Sequence, residues 1–474
     1  MQTDLFIAGR AVAAASGQRF ATFDPATEEP IAEVARGGAA DVDAAVRAAH
    51  AAFHGEWRQV TPAARGRLLL RLAELVAAHK EELAALETAD VGKPLKEAKG
   101  DVDGVVSTLI YNAGAADKME GATIPLGPSV VDFTLLEPLG VTAHIVPWNY
   151  PLGMAARSLG PALAAGCTAV LKPAEQTPLS ALRFAGLALE AGLPPGVLNV
   201  VTGYGEEAGA PLVRHPLVRG VTFTGSVPTG RAIMAMAAER TIPVVLELGG
   251  KNAVLVFADA DLDRLVADVM EGAFENAGQI CSSASKLLVE ASVADELVER
   301  LRARAAKITV GPGKDDPDLG PVVSDEQHER VLGFVTEAKG SARLVHGGAR
   351  PADLPRGWFV APTILDRVPP EARIAREEVF GPVVTVTRFT AEDEATAIAN
   401  GTGYGLVAGV YTRDISRALR LAQTLEAGSV WINGWFLGGQ QAPTGGIKDS
   451  GIGRERGLPG VRNYLQVKNV GIRL

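Results

Sequence analysis

Residues 274–281 read FENAGQIC, a turn of small and polar residues that ends in one of the chain's two cysteines. A second segment, ELGG at 247–250, closes an apolar run with a carboxylate and two glycines. A thiol and a carboxylate that each follow a regular element at a glycine suit covalent catalysis with a separate base for hydrolysis. Cys281 is therefore the candidate nucleophile. Cys167 lies in an apolar run and is interpreted as a buried, inert thiol.

Composition narrows the class of protein. A chain of 474 residues is too long for one compact core, so two or three domains are expected. Its net charge of -9 offers no basic surface for nucleic acid, and no apolar run approaches the roughly 18 residues that a membrane span needs. The start of the chain lacks a basic, apolar leader, and two cysteines make no disulfide framework. A cytoplasmic location without a metal site is expected.

Short apolar segments alternate with amphipathic ones from residue 141 onward, which is typical of parallel βαβ units. The fold class predicted is α/β, with a Rossmann-like domain, a second α/β domain and a small β element. The tail 463–474 alternates again and has no obvious sheet of its own. Two placements stay open: it completes a partner's sheet, or it forms a small bridging sheet with the hairpin at 121–136. Predicted strands are 141–146, 168–171, 197–201, 221–224, 244–248 and 253–257; predicted helices are 41–54, one from 62, 152–164, 178–191 and 262–274; 120–137 is predicted as an extended hairpin.

Two strand ends carry nucleotide-like features, each with an ordinary alternative. In FTGSVPTG at 223–230, Gly225 allows a tight turn and Ser226 caps a helix whose free N–H groups suit a pyrophosphate. In KPAE at 172–175, the polar side chains can reach ribose hydroxyls at the edge of a parallel sheet. Taken alone, the first is also a plain helix cap and the second a solvated turn salt bridge.

Seven motifs in this order resemble the aldehyde dehydrogenase superfamily over essentially the whole chain. They are PWNYP at 147–151, KPAE at 172–175, FTGS at 223–226, ELGG at 247–250, GQIC at 278–281, EVFGP at 378–382 and SGIGRE at 450–455.

The resemblance implies a role for each catalytic residue. Cys281 is expected to add to the aldehyde carbon and form a thiohemiacetal, in a site that lowers the pKa of its thiol. Asn149 is expected to donate its side-chain N–H to the oxyanion, beside the Cys281 backbone N–H. Glu247 is expected to activate the water that releases the acid from the thioester.

The resemblance also implies NAD as the cofactor. A carboxylate at position 175 would repel a 2′-phosphate, which favours NAD over NADP. The implied contacts are Lys172 and Glu175 to the adenosine ribose, Gly225 and Ser226 to the pyrophosphate, Glu378 to the nicotinamide ribose, Phe380 near the nicotinamide, and Trp148 and Gly249 lining the same region.

The substrate tunnel is expected on one face of the helix after Asn149, with a closing loop near position 435. Gly153 is expected to widen its mouth. Two interpretations of Arg157 stay open: contact with a carboxylate on the substrate, or a structural ion pair at a subunit face. Ser158 stands where some relatives have a lysine that relays protons with the glutamate matching Glu455. The tunnel residues expected are Tyr150, Gly153, Met154, Arg157, Trp435 and Phe436.

These expectations combine into one hypothesis: NAD-dependent oxidation of an aldehyde, possible substrates being carboxylated semialdehydes or bulky and aromatic aldehydes. A CoA-acylating enzyme is a further alternative, although such relatives typically lack the carboxylate of Glu247. A non-enzymatic use of the fold is the last one. A homodimer or homotetramer is expected. The predicted domains are 1–117 with 139–249 for NAD, 250–448 for catalysis, and 118–138 with 449–474 as a bridging element.

Overall fold

Two large β-sheets and two small ones organise the chain. The computed structural model describes residues 2–474. The strands are β1 Leu5–Ile7, β2 Arg10–Val12, β3 Arg19–Asp24, β4 Glu29–Ala35, β5 Thr123–Ile124, β6 Val130–Pro138, β7 Val141–Ile145, β8 Thr168–Lys172, β9 Leu198–Val200, β10 Val218–Gly225, β11 Val244–Leu248, β12 Ala253–Val256, β13 Lys286–Glu290, β14 Arg343–His346, β15 Thr363–Asp366, β16 Val383–Phe389, β17 Val407–Tyr411, β18 Ser429–Ile432, β19 Gly451–Ile452 and β20 Leu465–Arg473.

Helices connect most of these strands, and their ends follow local capping signals. Thr61, Ser226 and Asp261 each accept a backbone N–H in the first turn of the helix that follows. The helices are α1 Ala39–His54, α2 Pro62–Ala78, α3 Lys80–Val91, α4 Leu95–Ala115, α5 Pro151–Ala165, α6 Leu179–Glu190, α7 Ala210–Arg214, α8 Val227–Ala238, α9 Leu262–Phe274, α10 Ala291–Ala305, α11 Asp325–Ala338, α12 Arg373–Arg376, α13 Glu392–Asn400, α14 Ile415–Thr424 and α15 Gly457–Arg462.

The first sheet has the strand order β19-β11-β10-β7-β8-β9-β1-β2. Strands β7 to β11 run parallel to one another, whereas β1 and β19 flank them in antiparallel orientation. The chain moves outward from β7 through β8 to β9 before it returns to β10 on the other side. The strand order therefore reverses between β7 and β10. In an open α/β sheet, a ligand binds outside the carboxyl ends of the strands at such a reversal. The segments that follow β7 and β10 are thus the ones expected to meet a nucleotide.

The second sheet has the order β14-β15-β16-β13-β12-β17-β18 and is parallel except for β14. Its strands are buried, and β12 reads Ala-Val-Leu-Val without polar interruption, as expected for a strand covered on both faces. The loop 275–285, which contains Cys281, lies between α9 and β13. The thiol is thus delivered from the second sheet, whereas Glu247 ends a strand of the first.

The tail pairs within its own chain and forms the small sheet that was predicted from the hairpin and the tail, whereas completion of a partner's sheet stays a prediction. Strand β20 runs antiparallel to β6 over nine residue pairs, from Leu465 opposite Pro138 to Arg473 opposite Val130. Together with β5 they form a sheet in the order β20-β6-β5. Within the predicted bridging range 449–474, strand β19 instead joins β11 at the edge of the first sheet.

The structure confirms the α/β fold class and most of the predicted elements to within a few residues. Helix 262–274 and strand 244–248 have the predicted bounds. The range 120–137 forms the predicted hairpin, with β5 and β6 antiparallel. Among the described residues, no helix is long and apolar enough to cross a membrane.

Candidate active site

One cavity of about 970 Å³ connects the two large sheets. The ends of β10 and β11 form one side of it, and β17 and β18 contribute to the other. Cys281, Glu247 and Asn149 all line this cavity, so three residues far apart in the sequence meet there.

A left-handed turn delivers Cys281 to the cavity. Asn276, Ala277 and Gly278 have consecutive φ values of 48°, 54° and 69°, a region that side-chain-bearing residues rarely adopt. A Cβ on Gly278 would lie 2.2 Å from the carbonyl oxygen of Gly381, so no side chain fits at this position. The chain accepts two strained residues here, which is typical of functional sites.

Gln279 fixes the turn and holds Asn149. The Gln279 amide donates to the Asn276 carbonyl at 3.0 Å and accepts from the Val323 N–H at 2.9 Å. Its backbone carbonyl accepts from Asn149 Nδ2 at 2.8 Å. One hydrogen of the Asn149 amide is thus occupied, and the second is free for a ligand. The backbone carbonyl of Asn149 also accepts from Asn276 Nδ2 at 2.8 Å.

The thiol pKa differs from the expectation drawn from the sequence. Withdrawal from bulk water, followed by the charge of Glu247, raises the pKa of Cys281 to about 12. Arg157 acts in the opposite direction and lowers it. The surrounding protein therefore keeps the thiol protonated at neutral pH, and it does not supply the low pKa by itself.

Glu247 lies between an arginine and a second carboxylate. Burial raises its pKa to about 8; Arg157 lowers the value and Glu455 raises it. Arg157 Nη2 lies 3.6 Å from Glu247 Oε2, and its Nε is in direct contact with Glu455 Oε2. All three side chains are almost completely buried. At neutral pH Glu247 is mostly protonated, and the buried pair of Arg157 with Glu455 carries the charge.

This pairing changes the interpretation of Arg157. The argument for a substrate carboxylate rested on an arginine without a protein partner, and the structure provides two protein carboxylates. The other interpretation, a structural ion pair at a subunit face, agrees with the observed ion pair but not with its location, because Arg157 lines the cavity beside Glu247. Ser158 stands where some relatives have a lysine and cannot supply a cation to Glu455. In this chain the preceding residue, Arg157, supplies that cation.

Glu378 and Gly249 form a close contact on the cofactor side of the cavity. The Gly250 N–H donates to Glu378 Oε1 at 2.9 Å, and a Cβ on Gly249 would lie 2.2 Å from Glu378 Oε2. Burial raises the pKa of Glu378 to about 7. Its exposed face lines the cavity, where a carboxylate suits ribose hydroxyls.

Trp148 and Phe380 form the aromatic part of the same wall. Their rings pack edge to face with centroids 5.2 Å apart, and both line the cavity. Phe380 has a φ of 61° and its carbonyl accepts from Gln327 Nε2 at 2.7 Å, which holds this strained residue in place.

The start of α8 offers fewer free N–H groups than the sequence suggested. The Thr229 N–H donates to Ser226 Oγ at 3.4 Å, and Pro228 has no N–H. The N–H of Val227 remains for a pyrophosphate, whereas the hydroxyls of Ser226 and Thr229 are hydrogen-bonded to each other at 2.9 Å, which leaves one hydroxyl hydrogen for a ligand. Gly225 and Ser226 line the cavity.

Lys172 and Glu175 lie outside the cavity wall, at the carboxyl end of β8. Lys172 Nζ bonds to Glu175 Oε2 at 3.1 Å. The two side chains form a salt bridge one strand away from the reversal between β7 and β10, but the Lys172 side chain is only 5% exposed, unlike the solvated turn of the simpler alternative.

The substrate side keeps four of the six expected residues. Tyr150, Met154, Arg157 and Phe436 line the cavity. Gly153 does not, because the start of α5 turns it toward the Tyr150 Cβ, 3.6 Å from where its own Cβ would lie.

Trp435 is the second correction. It is buried behind the wall, where its Nε1 donates to the Ser282 carbonyl at 3.1 Å. Trp431, which was not predicted as a site residue, takes its place in the lining and packs edge to face on Trp435. Asn433, which lies between the two tryptophans, has a positive φ of 51° and turns the chain between them.

Sequence reasoning also missed Gln279 and Arg456. Gln279 stands within the quoted motif. Its position next to a glycine turn could have indicated that its side-chain amide hydrogen-bonds to the backbone and holds the turn in place. Arg456 follows the last motif directly and lines the cavity. Its backbone has a φ of 57°, which nothing in the sequence indicates.

The fold and the cavity define an α/β enzyme with a nucleotide-type strand reversal and a thiol at the reacting end. A sequence model described as the aldehyde dehydrogenase family matches residues 12–470. The chain therefore belongs to the aldehyde dehydrogenase family.

Named relatives agree with this assignment. The chain is 48% identical over 472 residues to a hydroxyisobutyraldehyde dehydrogenase of Mycolicibacterium austroafricanum, covering 99% of this chain and 94% of that protein. It is 44% identical over 477 residues to betaine aldehyde dehydrogenase 1 of Oryza sativa, covering 98% and 94%. The structure of an aldehyde dehydrogenase of Bacillus cereus in complex with NAD+ matches with a TM-score of 0.98 at 43% identity, covering 100% of this chain and 97% of that one. The protein is an NAD-dependent aldehyde oxidoreductase.

Proposed function

We propose that Cys281, Asn149 and Glu247 carry out the oxidation of an aldehyde to its carboxylic acid. The Cys281 thiol gives its proton to water, its thiolate adds to the aldehyde carbon as the carbonyl π bond opens, and the free hydrogen of the Asn149 amide donates to the oxyanion that forms. A preorganised donor of this kind lowers the barrier by about 3 kcal/mol. Loss of a hydride from the thiohemiacetal carbon then gives a thioester on Cys281.

Glu247 then acts as the base of the hydrolytic half-reaction. Its carboxylate takes a proton from water, the water oxygen attacks the thioester carbon, and the C–S bond breaks to release the acid and the thiolate. The single observation that carries this proposal is the convergence of Cys281, Asn149 and Glu247 on one cavity from two sheets. A pKa of about 8 suits a base that works near neutral to mildly alkaline pH.

The cofactor side fits NAD in its polar groups. Glu378 would hold the nicotinamide ribose, the start of α8 the pyrophosphate, and Lys172 with Glu175 the adenosine ribose. Trp148 and Phe380 would flank the ring, and Gly249 leaves the room that a side chain would fill. When bound, the oxidised nicotinamide of NAD accepts the hydride.

An apolar wall opposite the cofactor side suits the body of the aldehyde. Trp431, Phe436, Met154 and Tyr150 supply aromatic and thioether surface there. The Tyr150 ring is fixed by Lys93, whose Nζ lies 3.9 Å from the ring centroid. This wall supports a bulky or aromatic body as the second candidate for the substrate.

Rapid-mixing kinetics of two variants tests the proposal. Glu247→Gln should still release up to about one NADH per site and then stall as the thioester. Cys281→Ala should lose both the burst and the turnover while it still binds NAD. Cys167→Ala is the control, because Cys167 is buried and its Sγ lies 3.3 Å from the Tyr464 carbonyl. A burst in Cys281→Ala, or equal loss of burst and turnover in Glu247→Gln, would contradict these roles.

Two alternatives are disfavoured by the same residues. An enzyme that passes the acyl group to CoA needs no hydrolytic base, and Glu247 lines the cavity beside the thiol. A purely structural protein would not need the aligned set Cys281, Asn149 and Glu247. Addition of CoA to the assay should leave the product a free acid.

A homodimer or homotetramer and a cytoplasmic location are further parts of the proposal. The sheet β20-β6-β5 ends in an unpaired edge at β20, and Val467 on that strand is 69% exposed. Both cysteines are free thiols, as suits a reducing compartment. The proposed domains are 1–117 with 139–249 for NAD, 250–448 for catalysis, and 118–138 with 449–474 as the bridging element. Strand β19 is the exception, because it pairs with β11 of the first sheet. Light scattering of the purified chain would measure the assembly.

A further inference from the structure

Arg456 has a backbone conformation that disfavours any residue but glycine. It precedes α15 with φ 57° and ψ 173°, in a region that is strained for a side-chain-bearing residue. The next residue is fixed by the Gly457 N–H, which donates to the Gln440 carbonyl at 2.8 Å. The chain thus retains an arginine where glycine would fit without strain.

The strained residue directs a cation into the cavity. Arg456 lines the cavity, and its Nε is buried without a hydrogen-bond partner. No carboxylate lies within ion-pair distance of its guanidinium in the part of the chain that the structure describes. Burial and the charge of Arg157 lower its pKa to about 10, so it is still a cation at neutral pH.

The nearby carboxylates either pair with another cation or are protonated at neutral pH. Glu455 is in contact with Arg157, and Glu247 is mostly protonated at neutral pH. On another stretch of the lining, Asp101 is held by Lys93 Nζ at 2.6 Å. Two further acids that line the cavity, Glu271 and Glu275, form no ion pair with Arg456.

An uncompensated cation in a partly buried site is costly unless a ligand supplies the opposite charge. Arg456 follows Glu455, whose backbone pairs with Thr444, and Thr444 and Pro443 line the cavity. Its charge acts on Cys281, Glu247 and Arg157, the groups around the reacting carbon. The cofactor segments at 224–228 and 378–380 belong to other loops.

We infer that the Arg456 guanidinium binds a carboxylate at the far end of the aldehyde substrate. The inference rests on the proposed function, since the same cavity must hold the aldehyde carbon at Cys281. A planar guanidinium matches a carboxylate with two parallel N–H···O bonds, which favours a carboxylate over other anions. The preferred substrate is therefore a short ω-carboxy aldehyde whose carbon chain lies against Met154 and Phe436.

The test compares kcat/KM for two aldehydes of five carbons each: an ω-carboxy aldehyde, and pentanal, which lacks the carboxylate. Wild type should prefer the acid. Arg456→Gly should lower kcat/KM for the acid at least tenfold more than it lowers kcat/KM for pentanal. Arg456→Lys should keep part of the preference, because lysine keeps the positive charge but cannot form the two parallel hydrogen bonds of a guanidinium. Arg462→Gln, an exposed arginine of α15, is the matched control.

A binding measurement separates this inference from the proposed function. Glutarate should bind wild type in calorimetry and lose tenfold or more in affinity in Arg456→Gly, whether or not any aldehyde turns over. If wild type oxidises pentanal at least as well as the acid, or if both fall equally in Arg456→Gly, the inference is wrong. The same holds if Arg456→Gly raises the KM for NAD and leaves the aldehyde ratio unchanged, because the guanidinium then serves the cofactor.

Discussion

Arg157 and Glu455 hold the proposed base between opposite charges, so replacing either one should shift the pH dependence of turnover in a defined direction. Glu247 must lose its proton to activate water, and its pKa of about 8 places the rising limb of kcat near that pH. Below this pH the carboxyl is protonated and hydrolysis is slow. Removal of the Arg157 cation disfavours the carboxylate form, so the limb should move to higher pH.

The size of this shift follows from the distance. Two unit charges 3.6 Å apart interact by about 4–5 kcal/mol at an effective dielectric constant of about 20, which corresponds to about three pKa units. This value is an upper limit, because water and neighbouring side chains can rearrange around Glu247 once the arginine is gone. We therefore expect Arg157→Met to raise the limb by about one to two pH units.

Glu455→Gln should move the limb the other way. It removes a negative charge that raises the Glu247 pKa and frees Arg157 to approach Glu247. A downward shift of about one unit is expected. The assay is kcat between about pH 6 and pH 10, with the NADH burst recorded at each pH to establish that hydrolysis limits turnover. Arg157→Lys keeps the cation and should leave the limb within about half a unit.

Stability must be separated from electrostatics. Breaking a buried ion pair by removal of one partner costs about 3–5 kcal/mol, so Arg157→Met is compared with Arg157→Met/Glu455→Gln, which leaves no lone charge. The double variant should unfold at a higher temperature than Arg157→Met and have its limb closer to that of wild type. If the rising limb of kcat moves in the same direction in both single variants, or does not move in either, the reasoning is wrong.

Three further predictions concern positioning, cofactor choice and packing. Asn149→Ala should lower kcat by about a hundredfold or more through loss of the oxyanion donor, with NAD affinity unchanged in a fluorescence titration. Glu175→Gln should raise kcat/KM for NADP relative to NAD, because a carboxylate facing the 2′-phosphate is removed; an unchanged ratio would mean that Glu175 points elsewhere. Gly278→Ala should lower both the melting temperature and kcat, since its Cβ would lie 2.2 Å from the Gly381 carbonyl. Gly100→Ala, with open space around its Cβ, should raise the melting temperature slightly or leave it unchanged.

Local patterns were enough for most elements of the fold. The stripe of α9 and its Asp261 cap gave the helix its bounds, and the apolar run before Gly249 gave those of β11. The small sheet of the hairpin and the tail was predicted as a unit, but the register of β20 against β6 was not, because the two strands are alternating segments far apart along the chain. Strand pairing over that separation leaves no local signal.

The site was predictable where motifs fix it and not where the backbone turns unexpectedly. Helical spacing placed Gly153 on the same face as Met154, yet the start of α5 directs only Met154 into the cavity. Trp431 rather than Trp435 lines the cavity, and the chain turns between them at Asn433, which has a positive φ; asparagine tolerates that conformation but does not by itself indicate it. The partner of Arg157, Glu455, comes from the C-terminal segment, so sequence spacing could not indicate it.

The C-terminal segment has a consequence for the time at which the enzyme becomes active during synthesis. Gly451 pairs with Glu247 across the edge of the first sheet, and Glu455 reaches Arg157 from the same segment. Segment 451–455 is synthesised after the Cys281 loop and after every other strand of the two large sheets, so these contacts form later than those elements. A nascent chain therefore carries the thiol before it carries Glu455, one of the charges around its base. Turnover of an aldehyde then depends on the docking of segment 451–455 against the edge of the first sheet.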